Sequence, residues 1–424
     1  MTAAVDGRPL VAPDIDVVSP ALFREGPWEA YRRLREETPI AWDPRHQIWV
    51  ASRHADVVRI SLDNELFCSS KGIRPEQSLD LSLIGLDEPE HTQRRRLINK
   101  GFTPRMVRNL EGRIRQVTAE TLDRIATRGE CDFVSDIAVP IPLIVIAELM
   151  GLPVEDRDRF WHWSDDMMGG ADRMDPDDPA ILVATEAFAA YTGHVGSIVK
   201  ERTDAYRAAK AAGAAGTDAP ALADDLISAL VAANEEGILE QSDELQHDEL
   251  IMFLVLLVVA GNETTRNAIS GGMAAFAEFP DQWQLVLDHP EHLATLPDEI
   301  VRYVSPVISF ARTATADTEL RGEKVREGEK VVMLYQSANR DAEVFDAPDE
   351  LRIDRSPNDH LAFGIGPHYC LGANLAKLEI RVLFEELARR FPDMRVPEGG
   401  GPTYGDTTLV HTVSSLPVVF TQEA

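Results

Sequence analysis

The stretch HLAFGIGPHYCLG, residues 360–372, sets one cysteine, Cys370, among three glycines and two histidines. Apolar residues recur after it at three- and four-residue intervals, which predicts a helix that starts just after the cysteine and buries one face. A sulfur at a helix N-terminus lies near free N–H groups and the positive end of the helix dipole, and both favour the thiolate over the thiol. Gly364, Gly366 and Gly372 leave out side chains that would keep a flat ligand away from the backbone. The stretch therefore predicts a metal-bound sulfur beneath a planar group.

Other interpretations of Cys370 stay open from the residues alone. A single cysteine in a core is usually a small, inert hydrophobic side chain. His360, His368 and Cys370 are side chains that bind zinc, although no second His/Cys pair lies at ligand spacing elsewhere in the chain. A cysteine nucleophile needs a neighbouring base, and the glycine-rich stretch offers no obvious one.

The composition argues against several classes of protein. The chain has 424 residues, 44% of them hydrophobic, and a formal net charge of −29, which opposes general binding to nucleic acid or anionic lipid. Three cysteines, Cys68, Cys131 and Cys370, are too few for a disulfide framework, so the sequence predicts a cytoplasmic protein. The longest apolar run, residues 251–260, is about half of what crosses a bilayer, which predicts a buried helix and no transmembrane anchor.

The patterning along the chain predicts one large domain. Helical periodicity dominates the N-terminal half, and short alternating stretches at 48–53 and 329–335 predict strands. Residues 1–20 are interrupted by prolines and are expected to form a flexible N-terminal segment. The Ala-rich segment 205–225 predicts a mobile connection between two helices. Residues 21–424 are therefore predicted to be a single domain that is mainly α with a small β region.

The segment FGIGPHYCLG, Phe363 to Gly372, resembles the haem-binding signature of the cytochromes P450, the haem-thiolate monooxygenases. The resemblance implies haem b as cofactor, Cys370 as the axial ligand of its iron, and Phe363, Gly364 and Gly372 as parts of the haem-binding loop. It also implies the cytochrome P450 fold, with the haem between a long central helix and the helix that follows the cysteine loop. The position two before the cysteine, often arginine in the family, is His368 here, which is expected to contact a haem propionate with a pH-dependent charge.

A second motif lies in the apolar run, where residues 251–279 predict a helix that is hydrophobic all round and crosses the interior. Polar residues at its centre are costly to bury, so they point to a functional role. The side chain of Thr264 is expected to donate to the carbonyl of Ala260 one turn earlier and to open the helix locally. The sequence AGNETT, residues 260–265, resembles the family's oxygen-activation motif, which implies that Glu263 and Thr264 are the acid and the alcohol of proton delivery.

Four basic side chains match the family's contacts to the haem propionates. His91 and Arg95 lie four residues apart and so share one helix face. The resemblance adds Arg312 and His368 to this set, because charged or hydrogen-bonding side chains bind carboxylates. Taken alone, any one of the four is also consistent with a surface residue.

The segment EIVR puts Glu299 and Arg302 on one face of a helix. Taken alone, such a pair is an ordinary helix ion pair. Its position, about seventy residues before Cys370, resembles the family's buried Glu-x-x-Arg pair, which is structural. The resemblance implies Arg355 as its third partner, with Arg352 as the less favoured candidate.

Electrons are expected to come from separate proteins, a ferredoxin and a ferredoxin reductase, because no cysteine cluster or reductase-sized segment accompanies these motifs. From His91 to Arg115 the chain has eight Lys or Arg residues against one acid, Glu111. Taken alone, such a run is usually a solvated helix face. In the resembled fold it lies on the cysteine side of the haem, where an acidic ferredoxin would dock by charge complementarity. Arg96 and Lys100 are the residues predicted to matter for this docking.

The segments expected to line the substrate pocket are mostly apolar and predict a large lipophilic ligand: residues 69–91, the middle of the long helix, the turn 306–311 and the C-terminal segment 409–415. Stretches such as SKGIRP, GFTPR and HWSDDM resemble actinobacterial members of the family that oxidise the terminal side-chain carbon of cholesterol or cholest-4-en-3-one. The resemblance implies O2 and a sterol as substrates. Another steroid, a terpenoid or a macrolide stays an alternative. A haem-thiolate sensor without turnover is the alternative from a different class, and it would need neither the acid nor the alcohol of the central helix.

Overall fold

The computed structural model describes residues 4–5, 7–78, 82–99, 104–170, 177–211, 225–235 and 243–423, and within them the chain forms fourteen α-helices and thirteen strands. The helices are α1 Pro20–Glu25, α2 Trp28–Glu37, α3 His54–Leu62, α4 Glu90–Asn99, α5 Pro104–Asp123, α6 Pro140–Met150, α7 Arg157–Gly170, α8 Pro179–Ala211, α9 Leu226–Glu235, α10 Asp243–Glu278, α11 Pro280–Asp288, α12 Leu296–Val304, α13 Tyr335–Ala338 and α14 Ala373–Arg390. The strands are β1 Ala4–Val5, β2 Arg8–Pro9, β3 Ile40–Asp43, β4 Ile48–Ala51, β5 Phe67–Cys68, β6 Glu130–Asp132, β7 Ser309–Ala314, β8 Thr318–Leu320, β9 Glu323–Val325, β10 Lys330–Leu334, β11 Thr403–Tyr404, β12 Val413–Ser415 and β13 Pro417–Val419. The prediction of a mainly helical fold with a small β region is confirmed.

The largest sheet has five strands in the order β3-β4-β10-β7-β5, and the remaining strands form two-stranded pairs. β10 pairs in parallel with β4 and antiparallel with β7, so that Val331 lies between Trp49 and Arg312. The strands predicted at 48–53 and 329–335 are thereby confirmed as β4 and β10. This register holds Arg312 in the middle of β7, where its side chain is buried.

The helix α10 crosses the interior and packs against α6, α8, α12 and α14. It has 36 residues, about 54 Å at 1.5 Å per residue. A Cβ atom on Gly271 would lie 2.6 Å from Cγ1 of Val304, so glycine at this position allows α12 to approach closely. The sequence prediction of a buried central helix over 251–279 is confirmed.

A buried ion-pair network ties α12 to the chain that leads into segment 360–372. Glu299 accepts hydrogen bonds from Arg302 at 2.8 Å and from Nε of Arg355 at 3.0 Å. Arg352 donates only its backbone N–H to Glu299, while its side chain pairs with Asp346. The prediction of Arg355 as the third partner is therefore confirmed, and Arg352 is not the ion-pair partner.

The N-terminal segment packs onto the fold where it is described. Val11, Ile15 and Val17 are buried, and the N–H of Val11 donates to the carbonyl of Trp42. These contacts run against the expectation of a loose segment, because the apolar side chains between the prolines cover the apolar surface of the sheet and α2. The domain boundary after residue 20 stays a prediction.

Two points concern the connections between helices. Residues 20–37 form two helices, α1 and α2, because Gly26 takes a left-handed φ of 97° between them. The predicted Ala-rich connection over 205–225 falls largely on residues 212–224, which lie outside the described part of the chain. None of the described helices combines the length and apolarity needed to cross a bilayer.

Candidate functional site

A deep cavity lies between α10, the start of α14 and the segment 360–372, which we call the cysteine loop. It encloses about 1580 Å³ of space, counting the open solvent at its mouth. Ten of the eleven predicted site residues line it: His91, Arg95, Ala260, Thr264, Arg312, Phe363, Gly364, His368, Cys370 and Gly372. The eleventh, Glu263, is not part of the wall.

The sulfur of Cys370 opens onto the cavity although it lies deep in the protein. The backbone N–H of Cys370 donates to the carbonyl of Phe363 at 2.8 Å and closes the cysteine loop. Burial raises the pKa of the Cys370 thiol, and hydrogen bonds from the backbone N–H groups of Gly372 and Ala373 offset this only in part. The N–H groups at the helix start therefore favour the thiolate as expected, but burial outweighs them in the protein alone. A thiol in such a place loses its proton when a metal ion binds it.

The glycines of the cysteine loop have different roles. Gly364 and Gly366 take φ values of 67° and 76°, which L side chains rarely adopt. A Cβ atom on Gly366 would also lie 2.9 Å from the side chain of Leu62, so this glycine lets the loop lie against α3. Gly372 has open space around its Cβ position and lines the cavity. Of the three, Gly366 therefore serves packing, whereas Gly364 and Gly372 leave the cavity wall open to a flat ligand.

Arg312 supplies the test of whether the cavity fits a cofactor with carboxylates. Its side chain is buried, and within the described part of the chain its guanidinium donates one hydrogen bond, to the carbonyl of Ala311 at 2.9 Å. No carboxylate among the described residues pairs with it. Burial accordingly lowers the pKa of the Arg312 guanidinium. A buried cation is costly without an anionic partner, and the propionates of haem b are such partners.

Three more donors lie beside Arg312. The rings of His91 and His368 are 4.1 Å apart, and Arg95 donates to the carbonyl of Tyr369. Burial first, and then the charges of the neighbouring basic groups, lower the pKa of His368 to about 2. In the protein without haem, His368 is thus neutral at physiological pH and can donate as a neutral imidazole. A pH-dependent charge on His368 beside a bound propionate stays a prediction. The donor set fits two carboxylates, and haem b is a suitable occupant.

Thr264 lies on helix α10 and presents its hydroxyl to the cavity. The hydroxyl donates to the carbonyl of Ala260 at 2.6 Å, as the sequence predicted. Helix α10 nevertheless continues through this turn without a break in its assignment. The hydrogen bond to Ala260 therefore fixes the position of the Thr264 hydroxyl at the cavity wall. It does not open the helix at this point.

Glu263 lies behind the cavity wall and not on it. Its carboxylate is buried and pairs with Arg266 at 2.8 Å, and Arg266 also contacts Asp165 of α7 at 3.2 Å. The side chain of Asp165 is 53% exposed, so the row Asp165, Arg266, Glu263 leads from solvent to a buried acid. Burial raises the pKa of Glu263 to about 7, against the opposing charge of Arg266. Such a group exchanges protons readily near neutral pH.

The rest of the wall is apolar on the side of α10 and the turn after α12. Phe253 and Leu257 of α10 and Val307 and Phe310 after α12 contribute to it, and Leu83 and Ile84 add apolar side chains from the turn Leu83–Gly85. Residues 79–81 of the predicted wall lie outside the described part. The segment 409–415 was expected to line the cavity but lies behind its wall, because Val410 bridges Val307 and the N–H of Ile308 donates to Leu409.

The basic segment 91–115 is less uniform than its sequence indicated. Several of its cations have acidic partners: Arg94 with Glu249, Arg113 with Glu148, and Arg115 with Glu111 and Glu385. Arg95 faces the cavity, whereas Arg96 is exposed and has no ion pair among the described residues. The side chains of Lys100, Arg105 and Arg108 fall outside the described part.

Sequence reasoning missed Glu379, which lines the cavity from α14. Its side chain is buried, its Oε2 atom has no hydrogen-bond partner in the described chain, and burial raises its pKa to about 8. A signal was present, because Glu379 falls four residues after Leu375 and four before Leu383, inside the predicted apolar stripe. An acid on the buried face of a helix should have been singled out.

Comparison with known proteins gives a consistent family. Residues 293–414 match the family model described as Cytochrome P450. The chain is 37% identical over 416 residues to a steroid C26-monooxygenase of Mycolicibacterium smegmatis, covering 98% of each chain. It is also 37% identical over 415 residues to a steroid C26-monooxygenase of Mycobacterium tuberculosis, covering 97% of this chain and 98% of the relative.

Solved structures agree on the fold. A versatile cytochrome P450 from Bacillus subtilis matches with a TM-score of 0.79 at 33% identity, covering 93% of this chain and all of the other. A cytochrome P450 of Bacillus megaterium in complex with corticosterone matches with a TM-score of 0.80 at 31% identity, covering 93% and 98%. The predicted fold is confirmed by both.

Proposed function

The chain belongs to the cytochrome P450 family of haem-thiolate monooxygenases, and we propose that it hydroxylates the terminal side-chain carbon of a sterol. The observation that carries the substrate is the near full-length match to two steroid C26-monooxygenases at 37% identity. The apolar wall that faces Cys370 supports it, because a hydrocarbon side chain needs no polar partner there.

Haem b with a thiolate ligand supplies the activation of O2 and the transfer of one oxygen atom. In the proposed arrangement Cys370 supplies the thiolate, since neither Cys68 nor Cys131 is among the residues that line the cavity. Arg95, Arg312, His91 and His368 would hold the propionates, since all four line the cavity and can donate charge-assisted or neutral hydrogen bonds to carboxylates. Phe363, Gly364 and Gly372 complete the loop that covers the sulfur side.

The overall reaction consumes one O2, two electrons and two protons for each C–H bond converted to C–OH, and it releases one water. The chain's own residues have to bring the protons. Glu263 would supply them as a buried acid whose ion pair with Arg266 extends to Asp165 at the surface, where solvent can reprotonate it, and Thr264 holds a hydroxyl proton at the cavity wall. Since the carboxyl of Glu263 does not reach the wall, its transfer to Thr264 requires a side-chain rotation or an intervening water.

The electron donor in this proposal is a ferredoxin served by a ferredoxin reductase. The chain has three cysteines, fewer than one iron–sulfur cluster needs. The exposed Arg96 on α4 supports docking of an acidic protein near the cysteine loop, because Arg95 on the same helix donates to Tyr369 of that loop. The three free cysteines support a cytoplasmic location.

The proposed substrate is tested by titrating the ferric protein with cholest-4-en-3-one, testosterone and a macrolide while the haem spin state is followed. We expect the spin-state titration to show the tightest binding for cholest-4-en-3-one, because its hydrocarbon side chain matches the apolar wall. Turnover with the same sterol and a ferredoxin system, followed by mass spectrometry, should give the terminal alcohol.

Two outcomes would redirect the proposal. A spin shift with the macrolide and none with any sterol would move the chain to the hydroxylases of other natural products. Oxidation of a ring carbon instead of the side chain would keep the steroid and reject the regiochemistry.

A further inference from the structure

Glu379 is an acid on the apolar face of α14. It lies six residues after Ala373, the first residue of the helix, which is about 9 Å of helix rise. Its side chain is 3% exposed, and it contributes to the wall of the same cavity as Cys370 and Thr264. Glu379 belongs neither to the cysteine loop nor to the ion-paired row Asp165, Arg266, Glu263.

The Oε2 atom of Glu379 is buried and makes no hydrogen bond within the described part of the chain. Among the described residues Glu379 also forms no ion pair, and no charged neighbour shifts its pKa. Burial, the one cause that acts on it, raises its pKa to about 8, so that it is mainly a neutral acid at pH 7.

The ionisable groups on the elements packed against α14 do not account for the raised pKa of Glu379. Helices α5, α10 and α12 and the turn 290–294 pack against it. Five of their acids have basic partners: Glu111 with Arg381, Glu263 with Arg266, Glu291 with His289, Asp298 with Lys377, and Glu299 with Arg302. Glu278 of α10 accepts a hydrogen bond from the hydroxyl of Tyr303. His292 of the turn contacts the ring of His289 edge-on. None of these groups moves the pKa of Glu379.

A haem in this cavity changes its charge by one electron when its iron is reduced. A carboxylate in the wall opposes that electron, whereas a neutral acid does not, and the low dielectric of the interior strengthens the difference. We propose that Glu379 is the site at which reduction of the haem is coupled to uptake of a proton. One electron from the donor reduces the iron(III) to iron(II), and one proton from solvent converts the Glu379 carboxylate to the acid.

The sign of the coupling follows from this. At pH 6 to 7 Glu379 is an acid in both redox states, so the reduction potential is independent of its titration. Above about pH 8 the oxidised protein holds the carboxylate, and reduction draws in a proton. The potential therefore falls as the pH rises. The inference rests on haem binding through Cys370, which belongs to the proposed function, and not on the sterol.

The test is a spectroelectrochemical titration of the haem-loaded protein from pH 6 to pH 10. We expect a flat potential below pH 7 and a fall that approaches 59 mV per pH unit, the value for one proton and one electron, above about pH 8. In Glu379→Gln the fall should disappear. A slope that persists in Glu379→Gln would overturn the proposal.

Two control variants test whether the pH dependence of the potential comes from an acid other than Glu379. Glu385→Gln removes a carboxylate from the same helix that pairs with Arg115 at the surface, and it should keep the slope. Glu263→Gln removes the other buried acid with a raised pKa and should also keep the fall above pH 8. If the fall of the potential above pH 8 disappeared in Glu263→Gln and persisted in Glu379→Gln, the proton would bind to Glu263, and the proposal for Glu379 would be rejected.

The experiment stays decisive if Glu379→Gln does not load haem. The wild-type protein alone must show the slope, and its absence rejects the proposal. Infrared redox-difference spectra of the wild type at pH 9 must show a protonated carboxyl band gained on reduction, and in Glu379→Asp this band should shift. The ferrous carbon monoxide spectrum of every sample reports thiolate ligation separately, so that failure of the haem assignment is distinguished from failure of the Glu379 proposal.

Discussion

Thr264 donates its hydroxyl to the carbonyl of Ala260 and faces the cavity. We predict that Thr264→Ala leaves sterol binding intact but lowers product formed per electron pair by about tenfold or more, because a positioned proton donor contributes at least this much. The measurement compares electron consumption, peroxide and alcohol in one assay. Thr264→Ser keeps the hydroxyl and should keep most of the coupling. Unchanged coupling in Thr264→Ala would remove this residue from proton delivery.

Glu263 carries the pH dependence of proton delivery. Its raised pKa of about 7 means that the acid form is present below pH 7 and is lost as the pH rises through it. Product formation by the wild type should therefore fall between pH 6.5 and 8.5, while Glu263→Gln should be slower by about 100-fold at pH 6.5 and insensitive to pH over this range. Equal pH profiles for the two proteins would contradict this role.

At this scale the sequence predicted residue types well and environments poorly. Ten of the eleven predicted site residues face one cavity, because motif spacing determines which side chains the fold brings together. The sequence did not indicate that Glu263 turns away to Arg266, or that burial and neighbouring cations keep His368 neutral. Both depend on side chains from distant parts of the chain.

The helix α12 owes its position to the buried Glu299 network. Removing the carboxylate in Glu299→Gln leaves the guanidinium groups of Arg302 and Arg355 buried without their counter-charge. We expect a loss of about 3–5 kcal/mol in the free energy of unfolding, measured by denaturant unfolding of the haem-loaded protein. Asp346→Asn removes the exposed partner of Arg352 and should change stability by less than about 1 kcal/mol. Similar losses in both variants would contradict a special role of burial.

Elements with strong periodicity were predictable, and elements held by tertiary contacts were not. The central helix predicted over 251–279 and the strands β4 and β10 follow from the spacing of apolar residues. The packing of Val11 and Ile15 onto the fold has no local signal, since it needs a surface formed by β3, β4 and α2. The position of segment 409–415 behind the turn at Pro306 likewise depends on a bridge between Val410 and Val307.

Across the whole molecule the charge is −29, so an acidic ferredoxin is repelled except where cations gather. We predict that Arg96→Glu with Lys100→Glu lowers ferredoxin-supported turnover several-fold at low salt, with a smaller effect at high salt because ions screen the contact. Sterol binding, followed by the spin shift, should not change.

The matched control reverses the same number of charges elsewhere. Lys200 and Lys210 are exposed on α8, and their double change to Glu alters the net charge equally. Equal slowing by the two double variants would indicate a general charge effect and reject docking at Arg96 and Lys100. Loss of sterol binding in the Arg96/Lys100 double variant would have the same consequence.

The overall fold and reaction class could be predicted because several motifs occur in one order over a chain of this length. The properties that differ from the prediction depend on contacts between residues far apart in the sequence. The basic segment 91–115 lost much of its free charge to Glu249, Glu148 and Glu385, which come from α10, α6 and α14. A charge run in sequence therefore overstates the cation that a partner meets.

The most direct test of the central claim is the ferrous carbon monoxide difference spectrum of the haem-loaded protein and of two cysteine variants. The account predicts a thiolate-type Soret band in the wild type and its loss in Cys370→Ser. The band should persist in Cys131→Ser, because burial raises the pKa of the Cys131 thiol to about 12 and keeps it inert. A thiolate-type band that survives in Cys370→Ser, or is missing from haem-loaded wild type, would contradict the assignment of Cys370 and with it the monooxygenase site described for this chain.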